Sequence, residues 1–180
     1  TALVAALLIT CCKKEEIWSF FEVWKGPQDY GQVQATRNGE NWEASAYGYF
    51  FNTSRPHQFG VSFTAFYTDS IVAEKFSISN IPAAVGVYQI DNTVDLPDPW
   101  KGELWSFFAL KHDDLTIDIY YPKPGVESNK VWVDAIDTVV GTVSGRFNVT
   151  LRKAPPGDTR TKFPQTVRFQ NGTFTVRHWP

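Results

Sequence analysis

The chain has 180 residues, a formal net charge of −2, seven Trp and no Met. That length holds one domain with a sizeable core, and the near-neutral charge excludes nucleic acid or anionic membrane as a partner held by bulk electrostatics. Aromatics at 16% of the chain, with Thr, Val and Ile in short runs, favour sheet and leave a surplus for binding faces.

The run Ala2 to Ile9 is apolar and uncharged, but far shorter than the ~20 residues that span a bilayer. It reads as the core of an export signal rather than a membrane anchor. Neither an initiator Met nor a basic segment precedes it, so a longer precursor is expected. The pair Cys11-Cys12 follows, then Lys13-Lys14-Glu15-Glu16. Adjacent cysteines rarely bridge, because the geometry is strained, and no CxxC or spaced Cys/His set points to a metal.

Leu8-Ile9-Thr10-Cys11-Cys12-Lys13-Lys14 resembles a bacterial lipobox. The resemblance implies acylation of Cys12, where the apolar run gives way to charge, with Cys11 as the alternative. Thr10 or Cys11 stands where Gly, Ala or Ser is usual before the acylated residue. Residues 1–11 are then the signal-peptide remnant, and 12–31 a lipid-anchored tether. Anchoring by acyl chains gains about 0.8 kcal/mol per buried CH₂ and takes more than one chain to be stable. Lys14-Glu15-Glu16 is similar to the short acidic signal that sends Bacteroidetes lipoproteins to the cell surface, which implies an outer-membrane, surface-exposed location.

Ile17 to Trp24 is ambiguous: Ile17, Phe20, Phe21 and Trp24 make a helical stripe, whereas Ile17, Ser19, Phe21 and Val23 fit one face of a strand. The expectation is that it packs on the domain. Lys25 to Gly31, with two Gly and one Pro, is a linker.

Residues 32–180 read as β throughout. Gln32 to Thr36 and Trp42 to Tyr47 alternate around Asn38-Gly39, a hairpin signal. Asn52 to Gln58 is a loop. Phe59 to Tyr67 is a strand with Phe59, Val61, Phe63 and Ala65 on one face. Lys75 to Ile78 is a short strand turned by Asn80-Ile81-Pro82, and Gly86 to Ile90 is another. Asp91 to Gly102 is a long loop. The apolar run Leu104 to Leu110 predicts a central strand covered on both sides. His112-Asp113-Asp114 turns it into Leu115 to Tyr121, where Leu115, Ile117, Ile119 and Tyr121 face in and Asp118 faces out. Pro122 to Asn129 is a loop, Val131 to Val143 a strand with a break near Thr138, and Gly145 to Arg152 alternates. Ala154 to Pro164 is a loop, and Thr166 to Gln170 and Thr173 to His178 form a second hairpin around Asn171-Gly172.

About ten short strands with regularly spaced turn signals make this all-β, an antiparallel β-sandwich by default and a closed β-barrel as the alternative. The order Asn38-Gly39-Glu40-Asn41-Trp42-Glu43-Ala44, Ile81-Pro82 with Gly86-Val87-Tyr88, Gly145-Arg146-Phe147 and Gly172-Thr173-Phe174-Thr175-Val176 resembles small uncharacterised Bacteroidetes lipoproteins. The resemblance implies a fold and a location, and no established activity, cofactor or catalytic residue.

The residues themselves point away from catalysis. His57, His112 and His178 have no second ligand at metal spacing. Asp113, Asp114 and Asp118 lack the calcium-loop pattern of Gly and distal Glu. Ser144 has no GxSxG context, and the carboxylates are scattered. No enzyme, metal or cofactor is expected. Arg146, Arg152, Arg168 and Arg177 share the outward parity of the C-terminal strands and would form one basic stripe if those strands are neighbours. Tyr47, Tyr49, Trp100 and Trp132 are candidates for stacking on sugar rings. Asp69-Ser70-Ile71 and Asp137-Thr138-Val139 are similar to the O-glycosylation motif of exported Bacteroidetes proteins, with Ser70 and Thr138 as acceptors. The expected function is that of a lipid-anchored surface protein binding a glycan or an envelope protein. The alternatives are a lipocalin-like carrier of a small apolar ligand and a hydrolase with an unrecognised site.

Overall fold

Alternation of apolar and polar residues makes strands that hide one face, and this chain builds ten of them. The computed structural model describes residues 31–50, 57–66, 72–90, 103–112, 115–154 and 163–177. Cys11, Cys12, Lys14, Glu15, Glu16, the stretch 17–24, Ser70, Trp100, Asp113, Asp114 and His178 lie outside them. The strands are β1 (Gly31–Arg37), β2 (Glu40–Phe50), β3 (Gln58–Phe66), β4 (Val72–Pro82), β5 (Gly86–Gln89), β6 (Trp105–His112), β7 (Leu115–Pro122), β8 (Lys130–Asp137), β9 (Thr142–Lys153) and β10 (Thr166–Arg177). Among the described residues there is no helix.

The fold is all-β, antiparallel and sandwich-like, in one ten-stranded sheet ordered β10-β1-β2-β3-β4-β6-β7-β9-β8-β5. β10 also pairs with β9, so the two faces of the sandwich are joined by hydrogen bonds on both sides. β8 and β5 extend from the far edge of β9. The narrowest junction is β7 with β9, three residue pairs from Tyr120–Lys153 to Pro122–Leu151.

Inside, rings fill the space between the faces. Phe76 and Phe169 stack with centroids 4.6 Å apart, and Trp42 meets Phe169 edge-on at 4.9 Å. Phe63 stacks on Phe147 at 5.4 Å, and Phe108 meets Phe169 at the same distance. Phe59, Val61 and Phe63 face this core as their spacing predicts, and Leu151, Val149 and Phe147 do so from β9.

Three readings of the sequence are corrected. Asn171-Gly172 does not turn the chain, because β10 runs unbroken from Thr166 to Arg177. The dipeptide is a bulge: Gln34–Thr173 and Thr36–Gln170 on one side, and Phe147–Gly172 and Val149–Phe169 on the other, each leave one extra residue on β10. Asn171 takes the left-handed conformation (φ 53°) that Asn tolerates. A Cβ on Gly172 would lie 2.4 Å from the Phe147 ring, so the glycine serves the core rather than a turn. By contrast, Asn38 and Gly39 both have positive φ and close the β1–β2 hairpin, as the two-residue turn requires.

Asn80 likewise does not end a short strand. It bulges (φ 62°) within the eleven-residue β4 and lets Ile81 return to the core, while its amide donates to the Glu103 carbonyl at 2.8 Å. The parity of β7 is the reverse of that expected. Asp118, Tyr120 and Pro122 face in, and Leu115 is exposed. The reason is an ion pair: Lys153 reaches Asp118 at 2.7 Å, which allows a carboxylate to take an inward position and hand the outward ones to Ile117 and Ile119.

Candidate functional site

Two outward faces carry the side chains that can meet a ligand. The first belongs to β8, β9, β10 and β1. Alternation on β9 turns Thr142, Ser144, Arg146, Asn148, Thr150 and Arg152 away from the core. β10 does the same with Arg168, Gln170, Thr173, Thr175 and Arg177. The strands are neighbours, so the four arginines do share one exposed face. Their register spreads them out. Arg152 faces Thr166 and Arg168 faces Thr150, which makes these two arginines diagonal neighbours; Arg146 faces Thr173, and Arg177 faces Thr142. Threonines fill the intervals, so the face is a Thr-rich surface with a basic pair at one end.

Arg146 is held from β8. Its Nε and Nη2 donate to the two carboxylate oxygens of Asp134 at 2.8 and 2.9 Å. The guanidinium lies 5.6 Å from the ring centroid of Trp132, its cross-strand partner. The hydrogen bonds from Arg146 hold the Asp134 carboxyl below its ordinary pKa, and the same bonds raise that of the guanidinium. Such a fork fixed over an indole presents both a flat ring and a directional cation. A depression of about 550 Å³ opens on the same face, lined by Ile136, Asp137, Thr138, Ser144 and Thr175 among others.

Thr138 sits at the exposed β8–β9 turn. Asp137 caps that turn, its Oδ1 accepting from the amides of Val139 and Val140 at 2.9 Å each. Thr138 itself is exposed.

The second face, on β2, β3, β4 and β6, holds two of the stacking candidates, Tyr47 and Tyr49, among residues that the sequence did not bring together. Register lines up Tyr47, Ser62, Ser77 and Phe107 in one row across four strands. In the next row Tyr49 pairs with Gly60, and Ser79 pairs with Trp105. Aromatic walls thus flank a floor of small residues. Ser62 and Ser77 share a hydrogen bond at 2.9 Å, and Tyr49 and Ser79 another at 2.8 Å. The Tyr49 ring lies over Gly60, where a Cβ would come within 2.3 Å of it. Burial raises the Tyr49 pKa; the bond to Ser79 pulls against this and the neighbouring Tyr47 adds to it. Trp105 and Phe107 stack at 5.4 Å. The outward signal in the sequence was Gly60, Ser62, Ser77 and Ser79, small residues at solvent-facing positions where long polar ones are usual.

The buried charges are committed to one another. Glu74 accepts from the Trp42 indole at 2.8 Å and pairs with Arg37, while Asp118 pairs with Lys153. The Tyr120 phenol is pushed up to about 12 by burial and then by the charge of Asp118. His57 is exposed, and among the described residues no three His, Cys, Asp or Glu gather as metal ligands. No described helix is long and apolar enough to cross a membrane.

Compared with models of known protein families, with curated proteins and with solved structures, the chain matches none.

Proposed function

We propose that this chain is a non-catalytic binding domain, held on the outer membrane by acylated Cys12 and displayed at the cell surface. Its β8–β9–β10 face binds an acidic glycan, and an envelope protein with an acidic patch is the second class of partner. The observation that carries the reading is the exposed face on adjacent strands that bears Arg152 and Arg168 as diagonal neighbours and Arg177 and Arg146 farther along, with Arg146 oriented by Asp134 over Trp132. Fixed guanidinium groups meet carboxylates or sulfates two bonds at a time, and the surrounding Thr and Ser hydroxyls match sugar hydroxyls in kind.

Ring packing in the interior favours surface recognition over carriage of an apolar ligand, because Phe63, Phe76, Phe147 and Phe169 touch one another where such a ligand would sit. The non-catalytic reading is supported by Glu74 and Asp118, which are each tied to a cation instead of standing as an acid–base pair. Lipid attachment rests on the lipobox-like run ending at Cys12; O-glycosylation of Thr138 rests on its motif and its exposure, and that of Ser70 on the motif alone.

The test is binding of a uronic-acid or sulfated polysaccharide to the full chain at low and high salt. The expected result is an affinity that falls with added salt and drops at least tenfold in the R152A/R168A variant. Equal binding by that variant would overturn the assignment of the face. Expression in a lipoprotein-processing bacterium checks the anchor: the wild-type chain partitions with membranes, and Cys12→Ala releases it.

A further inference from the structure

An amine-bearing side chain and a carboxylate meet inside this sandwich, away from water. Lys153 Nζ lies 2.7 Å from Asp118 Oδ1, and the two side chains are 4% and 0% exposed. Leu110, the cross-strand partner of Asp118, and Tyr120, the partner of Lys153, are buried on the same inward faces. The backbones that carry the pair are held as well. The Lys153 N–H donates to the Gln165 carbonyl at 2.9 Å, and the Ala154 N–H to the Ile119 carbonyl at 2.8 Å. Two reactive groups are thus fixed against each other on adjacent strands, and as charges they are a costly way to fill a dry interior.

We propose that this ion pair is the precursor of a covalent bond: Lys153 and Asp118 condense to an intramolecular isopeptide link once the sheet has closed. The balance is internal. A proton passes from the Lys153 ammonium to the Asp118 carboxylate along the contact, leaving an amine and a carboxylic acid. The Nζ lone pair adds to Asp118 Cγ, a second proton moves from nitrogen to the hydroxyl, and the C–O bond to that hydroxyl breaks as one water leaves. Nζ keeps one hydrogen, and no oxidant, cofactor or other reactant is consumed. In bulk water hydrolysis wins and condensation is slow. Here fixed geometry stands in for concentration, with effective molarities of about 10⁵–10⁸ M for well-oriented groups, and the water that would reopen the amide is excluded.

The position of the link supports it. β7 meets β9 over three residue pairs ending at Tyr120–Lys153, and Asp118 lies two residues beyond on the same inward face. An amide there staples strands 35 residues apart in the chain where their ladder is shortest. The other buried pair is the natural comparison. Glu74 shares the inward row of Asp118 through Leu110, but it faces Arg37, whose delocalised and permanently charged guanidinium is no nucleophile. That pair stays ionic.

Intact mass under denaturing conditions tests the proposal in the full chain carrying C11S/C12S, so acylation does not bear on the result. The expected result is a chain lighter than its sequence by one water in the majority of molecules, with a digest that contains a branched peptide joining the segment of Asp118 to that of Lys153. Lys153→Ala and Asp118→Ala each restore the sequence mass. Should either variant fail to fold, the digest of the chain with both residues intact decides alone. A chain that shows its sheet signal in circular dichroism and keeps the full sequence mass overturns the proposal. So does a lost water that maps to an unbranched peptide, the mark of a ring closed at a single aspartate.

Discussion

The two outer faces of this sandwich share strands of the same period and a single core, yet they use different side chains. On β8, β9 and β10 the outward positions carry Thr, Ser, Asn and Arg and meet solvent. On β2, β3, β4 and β6 they carry Tyr, Ser, Gly, Trp and Phe, and the smallest of them are buried. Inward alternation therefore fixes the strands, while the outward residues decide what each face is for. A hydrated face is cheap to change, and a covered one behaves like a second, thinner core.

That difference can be broken most sharply at Gly60. Gly60→Val places methyl groups where the Tyr49 ring lies, and chemical denaturation should show a loss of about 2–3 kcal/mol. A smaller loss, about 1–2 kcal/mol, is expected for Tyr49→Phe, which deletes the hydroxyl bonded to buried Ser79 and leaves that group without its partner. The same phenol gives a pH signature. Its folded-state pKa is raised by burial, so its contribution is fully present below the ordinary tyrosine value of about 10 and is lost as pH rises through the folded value. Tyrosinate absorbance should show one late-ionising group fewer in Tyr49→Phe.

The open face should answer weakly. Thr173→Ala is expected to stay within about 0.5 kcal/mol of wild type in the same denaturation series. Asp134→Ala should leave the melting temperature nearly unchanged while freeing Arg146, so acidic-polysaccharide affinity changes without stability. The sign for Asp134 runs opposite to that for Tyr49. Its lowered pKa means the pair with Arg146 is present at neutral pH and lost only as pH falls below the ordinary carboxylate range, which a carboxyl-carbon NMR titration can follow.

How much of this was legible depends on which residues carried the signal. Phe59, Val61 and Phe63, and the clean alternation of β9, announced their inward faces because nothing but burial acts on them. The run Leu104 to Leu110 announced a strand covered on both sides, and Ala109 and Phe108 are indeed both buried although they point opposite ways. Asp118 misled because a lone carboxylate reads as exposed, and the partner that allows its burial, Lys153, is 35 residues away. The two Asn-Gly pairs show the limit of local signals: both asparagines adopt positive φ, yet one pair closes a hairpin and the other bulges a continuous strand, as Phe147 needs the space at Gly172. The aromatic-walled floor on β2, β3, β4 and β6 was hidden for a different reason. Its rows exist only once four strands are in register, and β3 and β4 each show no more of it than a pair of small outward residues. The arginines were visible by parity, but their spacing of Thr against Arg across β9 and β10 came from the pairing itself.

The return of the ladder to β10 bears on crowding. Chains aggregate edge to edge when a strand offers an unpaired row of N–H and C=O groups, and among the described strands the terminal position in the pairing order falls to β5, four residues long. Among the described strands the remaining free edge is broken into short stretches, on β5, on β8 beyond its pairing with β5 and on β7 before its pairing with β9, so copies pressed together at high density would meet no long continuous edge on which to zip.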